Sequence, residues 1–338
     1  MSGADTKNFY RGGMMDLTDY RLEAAQLDDS WDQFVDSSPQ GTLFCQQVFL
    51  SALTGCFRPF YILKKNEPKA AVLLIETSDA RTDLHELVIH SGPMLAGPDP
   101  QQNRAQVLSE EFRVLSFIAA ELPEKFSAIA LSTHPDLPDL RPFLWHNYGS
   151  DGPKYDCDLR YTAYLDITGA DAAGPLNDNP VYKLANKSRR QEIRYAAKAG
   201  VTTVEEVDLG LFESFYEAVF ERQGLTPEPT TKEVSGTMAA LADAGLLRMF
   251  VSRTASGQPG SIAVFGLDAR RAYYLYGAND PALRDGHTGT AVLWDAFCAL
   301  AKDVREVDLE GVNSPMRGYF KLSFGAELRL YHHVRLGC

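Results

Sequence analysis

An internal repetition constrains this chain more than any other feature, because a chain that carries one element order twice folds as two like units. In the first half an apolar run at 60–63 leads through Asn66-Glu67-Pro68 into a second run at 70–75. In the second half 249–252 leads through Gly257-Gln258-Pro259-Gly260 into 261–265. Proline fixes φ and glycine relieves it, so both passages read as β-hairpins. Each hairpin is followed by a strand ending in glycine (87–92 and 272–277) and then a helical stretch (112–122 and 291–302). A short strand comes next (128–132 and 306–309), and then an aromatic-glycine phrase, Phe143 to Tyr148-Gly149 in one half and Phe320 to Phe324-Gly325 in the other. Matches in this order imply a tandem duplication of one α/β unit.

Each unit opens with helices, at 31–53 with a break near Ser38-Pro39-Gln40-Gly41, and at 180–199 with 211–223. Hairpins pair their strands antiparallel, whereas a strand-helix-strand crossover makes a parallel pair. The expected fold is therefore α/β, a mixed sheet with helices on both faces, formed twice. Residues 168–180, rich in Gly, Pro, Asp and Asn, read as the linker. The units are then 1–167 and 168–325. The strand at 328–334 lies beyond the second unit's last element, and the segment 326–338 is expected to rejoin the first unit.

Composition narrows the function. The longest purely apolar run, 70–75, is far short of the ~20 residues of a membrane span. The N-terminal stretch has no apolar segment of a secretory leader. Five cysteines, odd in number and never spaced C-x-x-C, suit a reducing cytoplasm rather than a disulfide framework or structural zinc. A net charge of −12 argues against DNA, and against tRNA unless a local basic surface overcomes it. No H-E-x-x-H, G-x-S-x-G or P-loop is present, so metal, serine-nucleophile and nucleotide-triphosphate chemistries find no support. Cys298 lies in an apolar helix, where it packs more readily than it reacts.

Several clusters remain. Lys183, Lys187, Arg190, Arg194 and Lys198 recur at helical spacing and share one face, with Arg189 adding charge. Such a stripe suits phosphates, or is a solvated face with Ile193, Ala196 and Ala197 turned inward. Tyr274 and Tyr276 alternate with Leu275 on a strand, so both tyrosines face one way, to orient an amine or to pack. Arg284, Gly286, Gly289 and Thr290 precede an apolar helix. There, backbone N–H groups receive an anion, or Thr288 or Thr290 simply caps the helix. Lys321 follows Phe320, and a partly desolvated ammonium there stabilises an oxyanion or phosphate, or else snorkels from a strand. Asp308 and Glu310 alternate onto one face, as a paired-carboxylate site, as an acceptor of an amine proton, or as a support for the backbone and Arg317. Arg222, before Gly224-Leu225-Thr226-Pro227, is a candidate for binding an acidic acceptor.

Four phrases carry a resemblance: Asn186-Lys187-Ser188-Arg189-Arg190 with Ile193-Arg194, Tyr274-Leu275-Tyr276-Gly277-Ala278, Asp308-Leu309-Glu310-Gly311, and Phe320-Lys321 with Phe324-Gly325. Arg141-Pro142-Phe143 with Trp145, and Arg160-Tyr161-Thr162, echo them in the first half. The chain resembles the GNAT-like acyltransferases, and among them the FemAB branch of double-GNAT proteins. No ~50-residue heptad hairpin interrupts the second half, so the similarity is to the armless members. The resemblance implies acyl or aminoacyl transfer to an amine in a cleft between two GNAT-like units, with the second unit carrying most of the machinery. It implies Lys321, Tyr276 and Asp308 as catalytic residues. Lys187, Arg190, Arg194, Arg222 and Tyr274 are the candidates for binding substrate, the stripe meeting the phosphates of a nucleotide-linked precursor, a CoA or a tRNA. It places Arg284, Gly286, Gly289 and Thr290 at the donor. Acyl-CoA is the donor of GNAT enzymes, held at a turn of form Gln/Arg-x-x-Gly-x-Gly/Ala. Gly289 and Ala291 fit that turn, but Gly286 stands where the Gln or Arg belongs. Aminoacyl-tRNA, which some FemAB members use to extend a peptidoglycan precursor, is thus an alternative donor, and a catalytically silent ligand-binding module is a further alternative.

Overall fold

The computed structural model describes residues 16–337; the N-terminal stretch and Cys338, which figure in the compositional reading, lie outside them. The chain divides into two units. One ends at Arg160 and takes back the residues from Leu330 on, and the other is Tyr161–Arg329. The crossing falls inside a strand rather than in the 168–180 stretch, because the second half of that strand pairs within the second unit.

In the first unit, β1 (Tyr20–Ala24) precedes two helices, α1 (Asp29–Ser37) and α2 (Gln47–Ser51). Asp28 starts α1 by accepting from the N–H groups of Ser30 and Trp31. The break between the helices needs Gly41, since a Cβ there would overlap the Val35 carbonyl. The hairpin of β2 (Cys56–Lys64) and β3 (Glu67–Ser78) turns at Lys65 and Asn66, both at positive φ (49° and 75°), which matches the hand of the strands. Pro68 is therefore not in the turn. It sits in β3 opposite Leu63, next to an irregularity in the pairing, the kind of position at which a strand tolerates proline. Next come β4 (Arg81–Thr82) and β5 (Met94–Leu95), both on β3, then α3 (Arg104–Glu121), β6 (Ile129–Ser132), α4 (Arg141–Leu144) and β7 (Asp156–Asp166). The strand expected at 87–92 does not form. Gly92 at φ 109° leaves the extended region and Pro93 has no N–H to donate, so the chain crosses to Ser132 by single hydrogen bonds instead.

The second unit runs α5 (Pro180–Leu184), α6 (Lys187–Lys198), β8 (Thr202–Glu205), α7 (Leu209–Glu221) and α8 (Thr231–Asp243). It continues with β9 (Leu247–Arg253), β10 (Pro259–Leu267), β11 (Arg271–Asn279), α9 (Thr288–Leu300), β12 (Glu306–Asp308) and α10 (Pro315–Leu322), and the chain ends in β13 (Glu327–Leu336).

The duplication is visible in the pairing. In the second unit the order is β8-β9-β10-β11-β12-β7, antiparallel except for the parallel β11–β12 pair. In the first, β1, β2, β3 and β4 follow in the same sense, a parallel bridge joins Arg81 to Ala128 just ahead of β6, and β6 pairs antiparallel with the end of β13. Each unit thus has one parallel step, made by the crossover through α3 or α9, since strands joined in parallel need a connection long enough to carry the chain back. Each also has its own apolar core. One gathers Ile62, Val72, Leu74, Ile118, Leu131 and Phe143, and the other Phe265, Phe297, Val307 and Phe324, whose rings meet edge to face (Phe297–Phe324, 5.2 Å).

Candidate functional site

The second unit concentrates its buried polar groups where β12 ends. Beyond Asp308 the backbone enters the left-handed region twice, at Glu310 (φ 49°) and Gly311 (φ 46°), and reverses. Lys321 closes over this turn. It lies in the last turn of α10, not on a strand, because Pro315 opens a helix that carries it there. Its ammonium donates to the carbonyls of Leu309 (2.5 Å) and Glu310 (3.0 Å) and stands 4.6 Å from the centre of the Tyr274 ring. Gly311 gives the ammonium room, since a Cβ there would stand 3.2 Å from Nζ. Burial lowers the Lys321 pKa to about 8, against the upward pull of Glu310 and Asp308. Asp308 is fully buried, and its Oδ1 accepts from the Thr162 hydroxyl and from the Glu310 N–H (3.0 Å). Burial raises the pKa of both carboxyls, and Asp308 pushes Glu310 further up.

A β-bulge separates the two tyrosines. Opposite β10, Val264 pairs with Tyr276 and Phe265 with Tyr274, so Leu275 is the extra residue and the alternation resets. Tyr274 stacks on Phe265 (5.2 Å) beneath Lys321, while Tyr276 meets the edges of Phe212 and Tyr216 on α7 (5.5 and 5.8 Å). Gly277 leaves space for the Tyr274 hydroxyl, which a Cβ would overlap. Tyr274, Asp308 and Lys321 are thus brought together, and Tyr276 packs against a helix.

The basic stripe is reorganised as well. Asn186 breaks the helix by capping α6, accepting from the Arg189 N–H at 2.8 Å, so Lys183 belongs to the separate helix α5. Arg189 points inward. Its Nε donates to Ser323 (2.8 Å), another N–H reaches the Thr290 hydroxyl, and its guanidinium lies 4.3 Å and 4.9 Å from the Phe320 and Phe324 rings. Arg189 therefore ties α6, α9 and the end of α10 together. Gly325, at φ 93°, lets the chain pass where a Cβ would stand 2.5 Å from the Leu184 carbonyl. Lys187, Arg194 and Lys198 remain exposed, and Arg190 is half-buried over Tyr182 (6.0 Å). Arg194 donates to the Tyr182 hydroxyl (2.5 Å). Ile193 and Ala196 face inward as the periodicity predicts, but Ala197 is exposed.

Ahead of α9, Pro281–Gly286 forms a 3-10 turn that ends in His287 at φ 58°. His287, not Thr288 or Thr290, occupies the cap position, and no side chain caps the helix. Thr288 is buried against the Ser261 hydroxyl (2.8 Å), and Thr290 is buried under Arg189. Gly289 faces Asn279, whose Oδ1 would stand 2.6 Å from a Cβ. Arg284 is exposed, and so is Arg222, which donates to the Asn279 carbonyl at 3.2 Å. The corresponding helix of the first unit, α3, is closed by a reciprocal box between Asn103 and Gln106 (3.0 and 2.9 Å).

Residues 183–320 match the model of the acetyltransferase (GNAT) domain, a span that ends one residue before Lys321. The structure is similar to that of FemX over 92% of this chain and 96% of that one, at 14% identity and a TM-score of 0.60. The fold is GNAT, in the FemAB-like form. A tandem GNAT protein from the clavulanic acid biosynthesis pathway is similar over 94% of this chain and 98% of its own, at 13% identity and a TM-score of 0.51. L-PGS from Bacillus licheniformis is similar over 92% of each chain, at 11% identity and a TM-score of 0.50. No curated protein matches the sequence. Seen as a GNAT unit, 161–329 yields two groups that the sequence reading did not place. Thr162 fixes Asp308 from β7, and Arg189 serves as an internal clamp. Phe320 and Phe324, one helical turn apart, were the available signal for a cation seated between rings.

Proposed function

We propose that this chain is an N-acyltransferase, moving an acyl or aminoacyl group from an activated donor to an amine by direct attack, without a covalent enzyme intermediate. The observation that carries the reading is the Lys321 ammonium, buried in a GNAT unit among Asp308, Glu310 and Tyr274. A positive charge held in a dry site counts for most where negative charge develops on a carbonyl oxygen during attack. Tyr274 and the 309–310 carbonyls hold that charge in place, and alignment of the two substrates supplies much of the remaining rate. Tyr276 then contributes through packing on α7.

Acyl-CoA is the donor we favour. The uncapped start of α9, with Gly286 and Gly289 beside it and Arg284 exposed, offers N–H groups and positive potential to a pyrophosphate. Thr290 contributes only by anchoring Arg189. The exposed cations Lys187, Arg194 and Lys198 support a second reading, in which aminoacyl-tRNA is the donor and a peptidoglycan precursor the acceptor. No helix of the described residues is long and apolar enough to cross a membrane. The test is turnover: thiol release from acetyl-CoA and longer acyl-CoAs with a panel of primary amines, alongside transfer from radiolabelled aminoacyl-tRNA. Product with the first donor class supports the favoured reading and product with the second the alternative. Binding of a donor with no turnover of any leaves a silent module and overturns both.

A further inference from the structure

The two acidic residues of the β12 turn are more than supports for Lys321. Asp308 Oδ2 and Glu310 Oε1 are both buried and accept no hydrogen bond from any described donor. Their carboxyls lie within 4.8 Å of each other. Two ionised carboxylates so close in a buried site would repel and leave both oxygens unpaired, whereas a proton on one carboxyl removes the repulsion and lets that carboxyl donate to the other. The backbone enforces the arrangement. Glu310 keeps a left-handed conformation, unusual for a residue with a side chain, because Lys321 binds its carbonyl and Asp308 its N–H. Asp308 in turn is locked by Thr162. Within the unit, the charged groups facing Glu310 are Asp308, Lys321 and Arg271, with Arg317 facing Lys321.

We propose that Asp308 and Glu310 form a one-proton dyad that relays the proton of the attacking amine, Glu310 receiving it while passing the shared proton to Asp308. The proposal rests on the acyl-transfer reading and assigns its proton path. The amine lone pair forms the C–N bond as the carbonyl π pair moves to oxygen. The N–H proton goes to the second oxygen of Glu310, and the shared proton goes to Asp308 Oδ2. Collapse restores the carbonyl and breaks the bond to sulfur, or to a ribose oxygen if tRNA is the donor. The proton then returns by the same path to the leaving group, so amide and free thiol or hydroxyl are formed and the dyad ends as it began. Lys321 is in this respect a positioning residue as well as a charge, since it pins the turn that presents Glu310.

Burial raises the affinity of both carboxyls for protons, so the acid limb of kcat lies above the ordinary carboxylate range, and activity falls as pH drops through it and the dyad fills with protons. The experiment pairs two readouts on the full chain. The first is the pH profile of kcat for wild type, Glu310→Gln and Glu310→Asp, with acetyl-CoA or an aminoacyl-tRNA and whichever amine wild type accepts. The second is infrared spectroscopy of protein labelled with carboxyl-13C glutamate and aspartate. Glu310→Gln is expected to lose about 10²–10⁴-fold in kcat. Glu310→Asp, which keeps the chemistry on a shorter arm, should lose less. Wild type should show a protonated carboxyl band at neutral pH that Glu310→Gln, folded by circular dichroism, lacks. Wild type that turns over neither donor class overturns the acyl-transfer reading itself. Active wild type with an unchanged kcat and acid limb in Glu310→Gln, or with no such band, overturns the dyad and leaves acyl transfer standing.

Discussion

Lys321 spends two of its N–H bonds on backbone carbonyls, so its charge and its geometry act together, and substitutions separate them. Lys321→Met keeps length and packing but removes the ammonium, and kcat should fall about 10²–10³-fold, as for loss of one oxyanion-stabilising group. Donor affinity should hardly change, because the contribution is made when charge develops on the carbonyl oxygen, and steady-state kinetics with calorimetry checks both. The sign of the pH effect follows from burial. With its pKa lowered to about 8, Lys321 is charged below that value and loses its charge above it. Wild-type kcat should therefore decline as pH rises through about 8. Lys321→Arg, which stays charged, should shift or abolish that alkaline limb even if it is slower, since guanidinium does not deprotonate in this range. An alkaline limb unmoved in Lys321→Arg assigns the limb to another group.

At the scale of elements, the clamp around Arg189 and the exposed stripe on α6 call for opposite experiments. Arg189→Met leaves the Thr290 hydroxyl without its donor in a buried site and takes one partner from Ser323, whose hydroxyl keeps its bond to the Phe320 carbonyl. A buried polar group so orphaned costs about 1–3 kcal/mol, and the contacts with the Phe320 and Phe324 rings are lost as well. Thermal or denaturant unfolding should therefore show a large loss of stability. Lys187→Glu with Arg190→Glu, at an exposed and a half-buried position of α6, should lower Tm far less, since the contact of Arg190 with the Tyr182 ring is long. If the stripe meets phosphate, these reversals weaken donor binding and flatten its salt dependence, which binding isotherms across a salt series report; an unchanged salt slope makes the stripe a solvated face. The difference between these sets explains what was legible. Hairpins, crossover helices and the break at Gly41 are written in local punctuation, although Pro68 and Pro259 fall just inside the strands that follow the turns rather than in the turns themselves. The bulge at Leu275 and the inward turn of Arg189 depend on partners far along the chain, β10 and α10, so spacing alone put Tyr276 on one face with Tyr274 and counted Arg189 only as added charge beside the stripe. Asn186 is the intermediate case. An Asn that caps the third N–H of a helix is a local signal, and it would have separated Lys183 from the stripe.

For the whole molecule, duplication raises the question of whether two like units bring two like sites. The crossover helix of each unit begins at an equivalent place, yet the two starts are finished differently. In α3 the Asn103 and Gln106 side chains satisfy N–H groups that a bound anion would need. In α9 no side chain does so, and glycines flank the start. A helix end already closed by its own side chains has little left to offer a phosphate, so the first unit is expected to have kept the fold and lost the donor site. Calorimetric titration with acetyl-CoA should then fit one site per chain rather than two. Asn103→Ala provides the control. It removes the cap and should cost about 0.5–2 kcal/mol of stability, as such caps do, while leaving the stoichiometry and kcat of the second unit unchanged. If Asn103→Ala instead opens a second site of comparable affinity, the cap is what suppresses a competent first unit. If wild type already binds two, the asymmetry between α3 and α9 does not govern donor binding, and the assignment of the donor to the start of α9 falls with it.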